Sequence, residues 1–149
     1  MAINLSVPMV YEDSYIQSLI SMNETRKTDS LIYEIYGALR EDIIGNMRPS
    51  ILLKEVTAEE LKEYIAVLHK NNISFNYVLN STVTDGREYT SEGRNEIYHF
   101  IDKMINLGVD TFTLSSPYLM RFILRNFPGF KINASISNRI FETIYYRSD

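Results

Sequence analysis

The sequence predicts an α/β fold in which short parallel strands alternate with helices. Two observations predict it: short apolar runs recur at near-regular intervals, and apolar residues between the runs have helical spacing. The runs are "INLSV" (3–7), "SLIYEI" (30–35), "SFNYVLN" (74–80), "TFTLS" (111–115) and "KINASI" (131–136). Strands that alternate with helices in this way are typical of βαβ units in a parallel sheet.

Capping signals mark the helices between the predicted strands. "TAEELKEYIAVLHKNN" opens with Thr57 and carries Glu60 three residues later, which is the capping-box pattern. "SEGRNEIYHFIDKMINLGVD" carries an apolar stripe at helical spacing. Another helix begins after Ser116, with Pro117 at its first position, where a missing N–H costs nothing. Residues 13–26 have one apolar side and predict a further helix.

The chain length limits the architecture to one domain. A chain of 149 residues forms one α/β domain (1–149) and is too short for two ordinary ones. The order of elements suits either an open doubly wound sheet or part of a (β/α)8 barrel. No G-x-G-x-x-G follows a predicted strand, which disfavours a dinucleotide-binding sheet. A complete barrel needs about 250 residues, so a barrel here would be about half of one, with four or five parallel strands.

Composition and charge are those of a soluble globular protein. Hydrophobic residues make up 45% and charged residues 23% of the chain. The net charge of −4 argues against a nucleic-acid partner. No apolar run approaches the roughly 18 residues of a membrane span, and the start "MAINLSVPMV" is not typical of a signal peptide. We therefore expect a cytoplasmic protein with no nucleic-acid or membrane partner.

Several kinds of chemistry find little support in the residue types present. The chain has no cysteine, which excludes a thiolate nucleophile and a cysteine-ligated metal made by this chain alone. The predicted strand ends carry few acids, so we expect no metal and no cofactor. His69 lies in the last turn of its predicted helix, where it is interpreted as a capping or packing residue. Ser115 follows a strand without the G-x-S-x-G pattern, and Glu41 and Asp42 lie in a loop, so no catalytic residue is assigned.

Polar residues that follow the predicted strands form the candidate site. In either architecture, ligands bind at the carboxyl ends of parallel strands. Arginines among hydroxyls and amides suit a carboxylate or phosphate, because the guanidinium binds either one bidentately. Loops at a sheet edge are also polar without any ligand, so both interpretations stay open. The candidate ligand-binding residues are Tyr36, Arg40, Arg48, Asn80, Ser115 and Asn138.

Four segments together carry a family resemblance. They are "YGALREDIIGNMRPS", "LHKNNISFNYVLN", "INLGVDTFTLSSPYL" and "FPGFKINASISNRI", and they extend over nearly the whole chain. In order and spacing they resemble the collagenase-like peptidase family (unassigned-peptidase family thirty-two). The positions that match the family pattern are Tyr36, Gly37, Arg48, His69, Asn80, Gly108, Val109, Asp110, Ser135 and Asn138.

The resemblance implies the N-terminal part of a TIM-type barrel with a site at its carboxyl face. It also implies a class of peptidases, several of whose members instead use an iron–sulfur cluster to modify RNA or quinones. The cysteine-rich signature of the family is absent from this sequence. "YGALREDIIGNMRPS" is interpreted as a site-forming loop in which Gly37 and Gly45 let the backbone turn while Arg40 and Arg48 face a ligand.

Two functions remain open from the sequence. The first is a collagenase-like peptidase-family protein or fragment whose activity requires a partner or a missing C-terminal half. The second is a non-catalytic module that binds a peptide or small anion on a half barrel. Half a barrel leaves two unpaired strand edges. We therefore expect a second copy or another chain to complete the barrel, or the tail "RIFETIYYRSD" to cover one edge.

Overall fold

The computed structural model describes residues 3–46, 53–81 and 84–136. The strands in this part form one sheet in the order β1-β2-β3-β4-β5, and every neighbouring pair is parallel. This confirms the predicted α/β fold, since five parallel strands in sequential order match half of a TIM-type barrel. The strands are β1 (Asn4–Pro8), β2 (Leu31–Gly37), β3 (Ser74–Leu79), β4 (Thr111–Leu114) and β5 (Lys131–Ala134). The helices are α1 (Asp13–Thr25), α2 (Ala58–Lys70), α3 (Ser91–Asn106) and α4 (Pro117–Asn126).

Side-chain caps fix the starts of α2 and α4 as the sequence predicts. The Thr57 side chain accepts a hydrogen bond from the Glu60 amide, and the Glu60 carboxylate accepts one from the Thr57 amide at 2.8 Å. Ser116 accepts a hydrogen bond from the Leu119 amide, and Pro117 is the first residue of α4. Within the described ranges, no helix has both the length and the apolar character needed to cross a bilayer.

A short 3-10 turn that the sequence did not predict precedes α3. It covers Arg87–Tyr89 and is too short to leave a periodic signal. Thr90 caps α3 by accepting a hydrogen bond from the Gly93 amide at 3.0 Å. Gly93 is buried against the turn, so that a Cβ at this position would lie 2.3 Å from the carbonyl oxygen of Arg87. The turn and the helix therefore pack backbone against backbone.

The hydrophobic core lies between the sheet and the helices. Phe75 packs edge-to-face on Tyr64 of α2, and Tyr77 packs in the same way on Phe100 of α3. Both strand residues are fully buried. Because side chains alternate along a strand, Asn76 points to the opposite face of the sheet. We call that opposite face, which would line the barrel interior, the inner face.

His69 and Asp110 close the amino end of the sheet. The His69 Nε2 atom lies 2.8 Å from Asp110 Oδ2, which also accepts a hydrogen bond from the Phe75 amide at 2.7 Å. These contacts join the end of α2 to the starts of β3 and β4. His69 therefore lies at the end of the sheet opposite to the candidate site, in a packing role.

Replacing Gly93 with alanine is expected to destabilise the protein, although alanine is the better helix former. The backbone of the 3-10 turn would have to move, at a cost of about 1–3 kcal/mol, which exceeds the helical gain of about 1 kcal/mol. Urea unfolding measures the change. The control is Asn95→Ala, at an exposed position of the same helix, which should leave stability unchanged or slightly raised. A Gly93→Ala variant as stable as the unsubstituted protein would contradict this packing.

Candidate functional site

Residues from three neighbouring strands meet at the carboxyl edge of the sheet. Tyr36 lies near the end of β2, in register with Pro8 of β1 and Asn76 of β3. Asn80 and Ser115 directly follow β3 and β4. The structure thus brings Tyr36, Asn80 and Ser115 to one edge, in the region predicted from the sequence.

The Ser115 hydroxyl connects two loops at this edge. It donates a hydrogen bond to the carbonyl oxygen of Asn80 at 2.9 Å, and the residue is only 2% exposed. The hydroxyl proton of Ser115 is therefore already engaged in a hydrogen bond with a backbone carbonyl. His69 lies at the other end of the sheet, so these two residues do not form a nucleophile–base pair.

Arg40 follows β2 and is paired with a nearby carboxylate. Its Nη1 atom lies 3.0 Å from Glu55 Oε1, and the two side chains are 38% and 83% exposed. The Arg40 Nε atom is buried and has no hydrogen-bond partner in the structure. An exposed pair of this kind contributes at most about 1 kcal/mol. A ligand carboxylate can therefore replace Glu55 at small cost.

Two of the candidate residues cannot be placed. Arg48 and Asn138 lie outside the described residues. The predicted ligand contacts of both therefore stay predictions from the sequence.

Asp42 fixes the loop that follows β2. Its carboxylate accepts hydrogen bonds from the backbone amides of Ile44, at 3.0 Å, and Gly45, and from the Tyr77 hydroxyl at 3.3 Å. The same hydroxyl accepts a hydrogen bond from the Leu39 amide at 3.1 Å. Asp42 and Tyr77 therefore anchor both ends of the loop to β3. No local pattern predicts this contact, because the two residues lie 35 positions apart along the chain.

Burial raises the pKa values of both Asp42 and Tyr77. It raises the pKa of the Asp42 carboxyl above its ordinary value of 3.8, while the hydrogen bonds from the Gly45 and Ile44 amides partly offset the effect. Burial also raises the pKa of the Tyr77 hydroxyl far above its ordinary value. Tyr77 therefore stays neutral and donates its proton to Asp42.

The two glycines of this segment serve different purposes. Gly45 has a φ of +84°, a left-handed conformation that favours glycine, as expected for a turning residue. Gly37 instead ends β2, where the approach of Met9 leaves no room for a side chain. A Cβ at Gly37 would lie 2.5 Å from the Met9 Cβ. The expectation of a turn is thus right for Gly45 and wrong for Gly37, which is required for space.

Two small cavities flank the loop after β2. One, of about 210 Å³, lies between Met9, Tyr11, Ala38 and Lys54. The other, of about 270 Å³, lies beside Arg40 and its partner Glu55. Sites for drug-sized molecules usually measure about 300–1,000 Å³, so each of these cavities lies just below that range.

Tyr11 forms part of the wall of the first cavity and makes two contacts with other side chains. Tyr11 stacks on Tyr64 with ring centroids 5.4 Å apart. The Lys54 ammonium lies 5.1 Å from the centroid of the Tyr11 ring, in a cation–π contact. The cavity therefore combines an apolar wall with a positive charge.

The donor side chains of the described residues do not fit a metal ion, and the chain has no cysteine for an iron–sulfur centre. No group of three or more His, Asp or Glu side chains is close enough to hold a metal ion within the ranges that the structure covers. The sequence also has no cysteine, so the chain supplies no thiolate for the cluster that the family resemblance implies for some members.

A row of polar side chains on the inner face was missed in the sequence. Ser6 Oγ and Asn76 Nδ2 donate hydrogen bonds to Glu34 Oε1 at 2.6 and 3.2 Å. Thr113 Oγ1 donates to Asn76 Oδ1 at 2.9 Å. Glu34 is 5% exposed and Asn76 is 3% exposed. Both residues interrupt an apolar strand at an inner-face position, which is the signal that could have identified them.

Replacing Tyr77 with phenylalanine is expected to lower the free energy of unfolding by about 1–3 kcal/mol. The reason is that the Leu39 amide loses its acceptor and the buried Asp42 loses a donor. Urea unfolding measures the change. Tyr33→Phe is the matched control, because Tyr33 is 39% exposed, and it should unfold like the unsubstituted protein. Equal effects of the two substitutions would rule out the anchoring role of Tyr77.

The stability contribution of Asp42 is expected to fall as the pH rises. The folded protein keeps a proton on Asp42 at pH values where the unfolded chain, with a pKa of about 3.9, has lost it. Deprotonation therefore favours unfolding across the interval between the two pKa values. The unfolding free energy of the unsubstituted protein minus that of Asp42→Asn should decrease as the pH rises above about 4. A difference that increases over this range would contradict the burial of the carboxyl.

Comparison with known proteins agrees with the resemblance found in the sequence. The family model described as "Peptidase family U32" matches residues 34–144. The uncharacterized protease MJ1657 of Methanocaldococcus jannaschii is 29% identical over 120 residues, which cover 80% of this chain and 34% of that protein. The chain therefore spans about a third of the length of this relative.

A solved structure shows the same fold. The U32 peptidase Mk0906 matches with a TM-score of 0.65 at 15% sequence identity, over 93% of this chain and 50% of that chain. This likeness agrees with the parallel half barrel described above. Because the family model extends over most of the sequence, the chain belongs to peptidase family U32.

Proposed function

We propose that the chain is the peptide-binding half barrel of a U32-family peptidase. An extended polypeptide binds across the carboxyl ends of the strands and places single side chains in the two cavities beside the loop after β2. The observation that carries this proposal is the size and position of those cavities, of about 210 and 270 Å³. Both are smaller than the usual site for a drug-sized molecule, and both lie beside the strand ends that the polypeptide is proposed to cross.

Arg40 is the proposed anion-binding group of this site. Its partner Glu55 is 83% exposed, so a carboxylate of the bound polypeptide can take its place. Tyr36 and Asn80 are proposed to contact the peptide backbone at the neighbouring strand ends. The buried Ser115 is proposed to act through Asn80, because its hydroxyl donates a hydrogen bond to the Asn80 carbonyl. Arg48 and Asn138 are proposed to contribute in the same way.

Cleavage of the bound polypeptide is proposed to require further residues, from a partner chain or from a second half of the barrel. Two observations support this. Ser115 donates its proton to a backbone carbonyl, and His69 lies at the opposite end of the sheet. The relatives are also two to three times as long as the matched region.

Denatured collagen is the probe for this proposal, because the chain resembles the collagenase-like peptidases. We expect the 149-residue chain to bind fluorescein-labelled gelatin, measured by anisotropy, and to leave it uncleaved on a gel. Arg40→Ala should weaken binding about tenfold, as loss of a charged contact does.

The matched control is Arg121→Ala, an exposed arginine on α4, which should bind gelatin like the unsubstituted chain. Equal binding by Arg40→Ala and the unsubstituted chain would refute the assigned site. Cleavage of gelatin by the purified chain would refute the requirement for further residues.

A further inference from the structure

The inner face carries a polar row where barrels usually carry bulky apolar residues. The interior layers of a TIM barrel are mostly Val, Ile and Leu. Here four adjacent strands contribute Ser6, Glu34, Asn76 and Thr113. They form one continuous hydrogen-bonded row. This departure from ordinary barrel packing requires a physical reason.

The hydrogen bonds of the row converge on one carboxylate oxygen. Thr113 donates to Asn76, and both Asn76 and Ser6 donate to Glu34 Oε1. Among the residues that the structure covers, Glu34 Oε2 accepts no hydrogen bond, and no ion pair includes Glu34. Glu34 is 5% exposed, and Oε2 is not among the fully buried atoms that lack a partner, so this oxygen keeps contact with solvent.

Glu34 joins β1, β2 and β3 through its Oε1 atom, and its second oxygen has no partner among the described residues. We propose that Glu34 Oε2 binds the ammonium group of a lysine side chain in the bound polypeptide. This inference rests on the proposed peptide-binding function and specifies which peptides that site selects.

The geometry favours an ammonium over a guanidinium. The arginine fork binds carboxylates through both oxygens, and here Oε1 already accepts two hydrogen bonds. A lysine ammonium is a compact charge that needs only one oxygen. The remaining donors of the ammonium can be shared with the neighbouring hydroxyls of the row.

The depth of Glu34 matches the length of a lysine side chain. Tyr36 lies on the same face, two residues closer to the carboxyl edge, which is about 7 Å along the strand. A peptide backbone at the level of Tyr36 can therefore extend a four-carbon stem down to Glu34.

The first test compares two peptides on two proteins. The peptides are an end-blocked Gly-Ala-Lys-Ala-Gly and the same sequence with norleucine in place of lysine. Glu34→Gln keeps the size of the side chain and an oxygen for Ser6 and Asn76. We expect this substitution to weaken binding of the lysine peptide at least about tenfold and to leave the norleucine peptide within about twofold. Circular dichroism confirms that the variant is folded.

The second test needs no substituted protein and separates this inference from the proposed function. Titration with n-butylammonium, followed by amide NMR signals, should shift the signals of Glu34 and Asn76, whereas n-butanol should not. If the amine binds there but no peptide binds, the ammonium site stands and the proposed function fails. If both peptides bind equally and the amine leaves these signals unchanged, the peptide site stands and this inference is overturned. If neither peptide nor amine binds, both are overturned.

Discussion

The alternation of side chains along β3 determines both the core and the candidate site. Phe75 and Tyr77 point to the helices and are fully buried there, while Asn76 and Val78 point to the inner face. A shift of one residue in the register of this strand would exchange the two sets. The aromatic residues would then lose their helix contacts, and the polar row would lose its central member. The parallel register of β3 with β2 and β4 therefore determines both the aromatic contacts with the helices and the polar row on the inner face.

The two ends of the sheet have different tasks. At the amino end, the Asp110 carboxylate is hydrogen-bonded to His69 and accepts a hydrogen bond from the Phe75 amide. These contacts hold α2, β3 and β4 together. At the carboxyl end, Asp42 and Tyr77 anchor a loop beside two small cavities, and Arg40 has only an exposed partner. The proposed binding site and these stabilising contacts thus lie at opposite ends of the strands, as is usual in parallel barrels.

The sequence predicted the elements well, whereas the contacts that shape the candidate site left no signal in it. Every described strand and helix was found, because apolar periodicity and caps such as Thr57 and Ser116 are local signals. The contact between Asp42 and Tyr77 joins residues 35 positions apart, and that between Glu34 and Asn76 joins residues 42 apart. Such pairs leave no local pattern. Only the register of the sheet reveals them.

The central claim is that the carboxyl edge and the inner face bind the peptide, whereas the amino edge only stabilises the fold. A map of amide NMR shifts on titration with the lysine pentapeptide tests this claim most directly. The account predicts that the shifts cluster around Tyr36, Asn80 and Ser115 and extend down the inner face to Glu34. Shifts that cluster around His69 and Asp110, with the carboxyl edge unchanged, would contradict it.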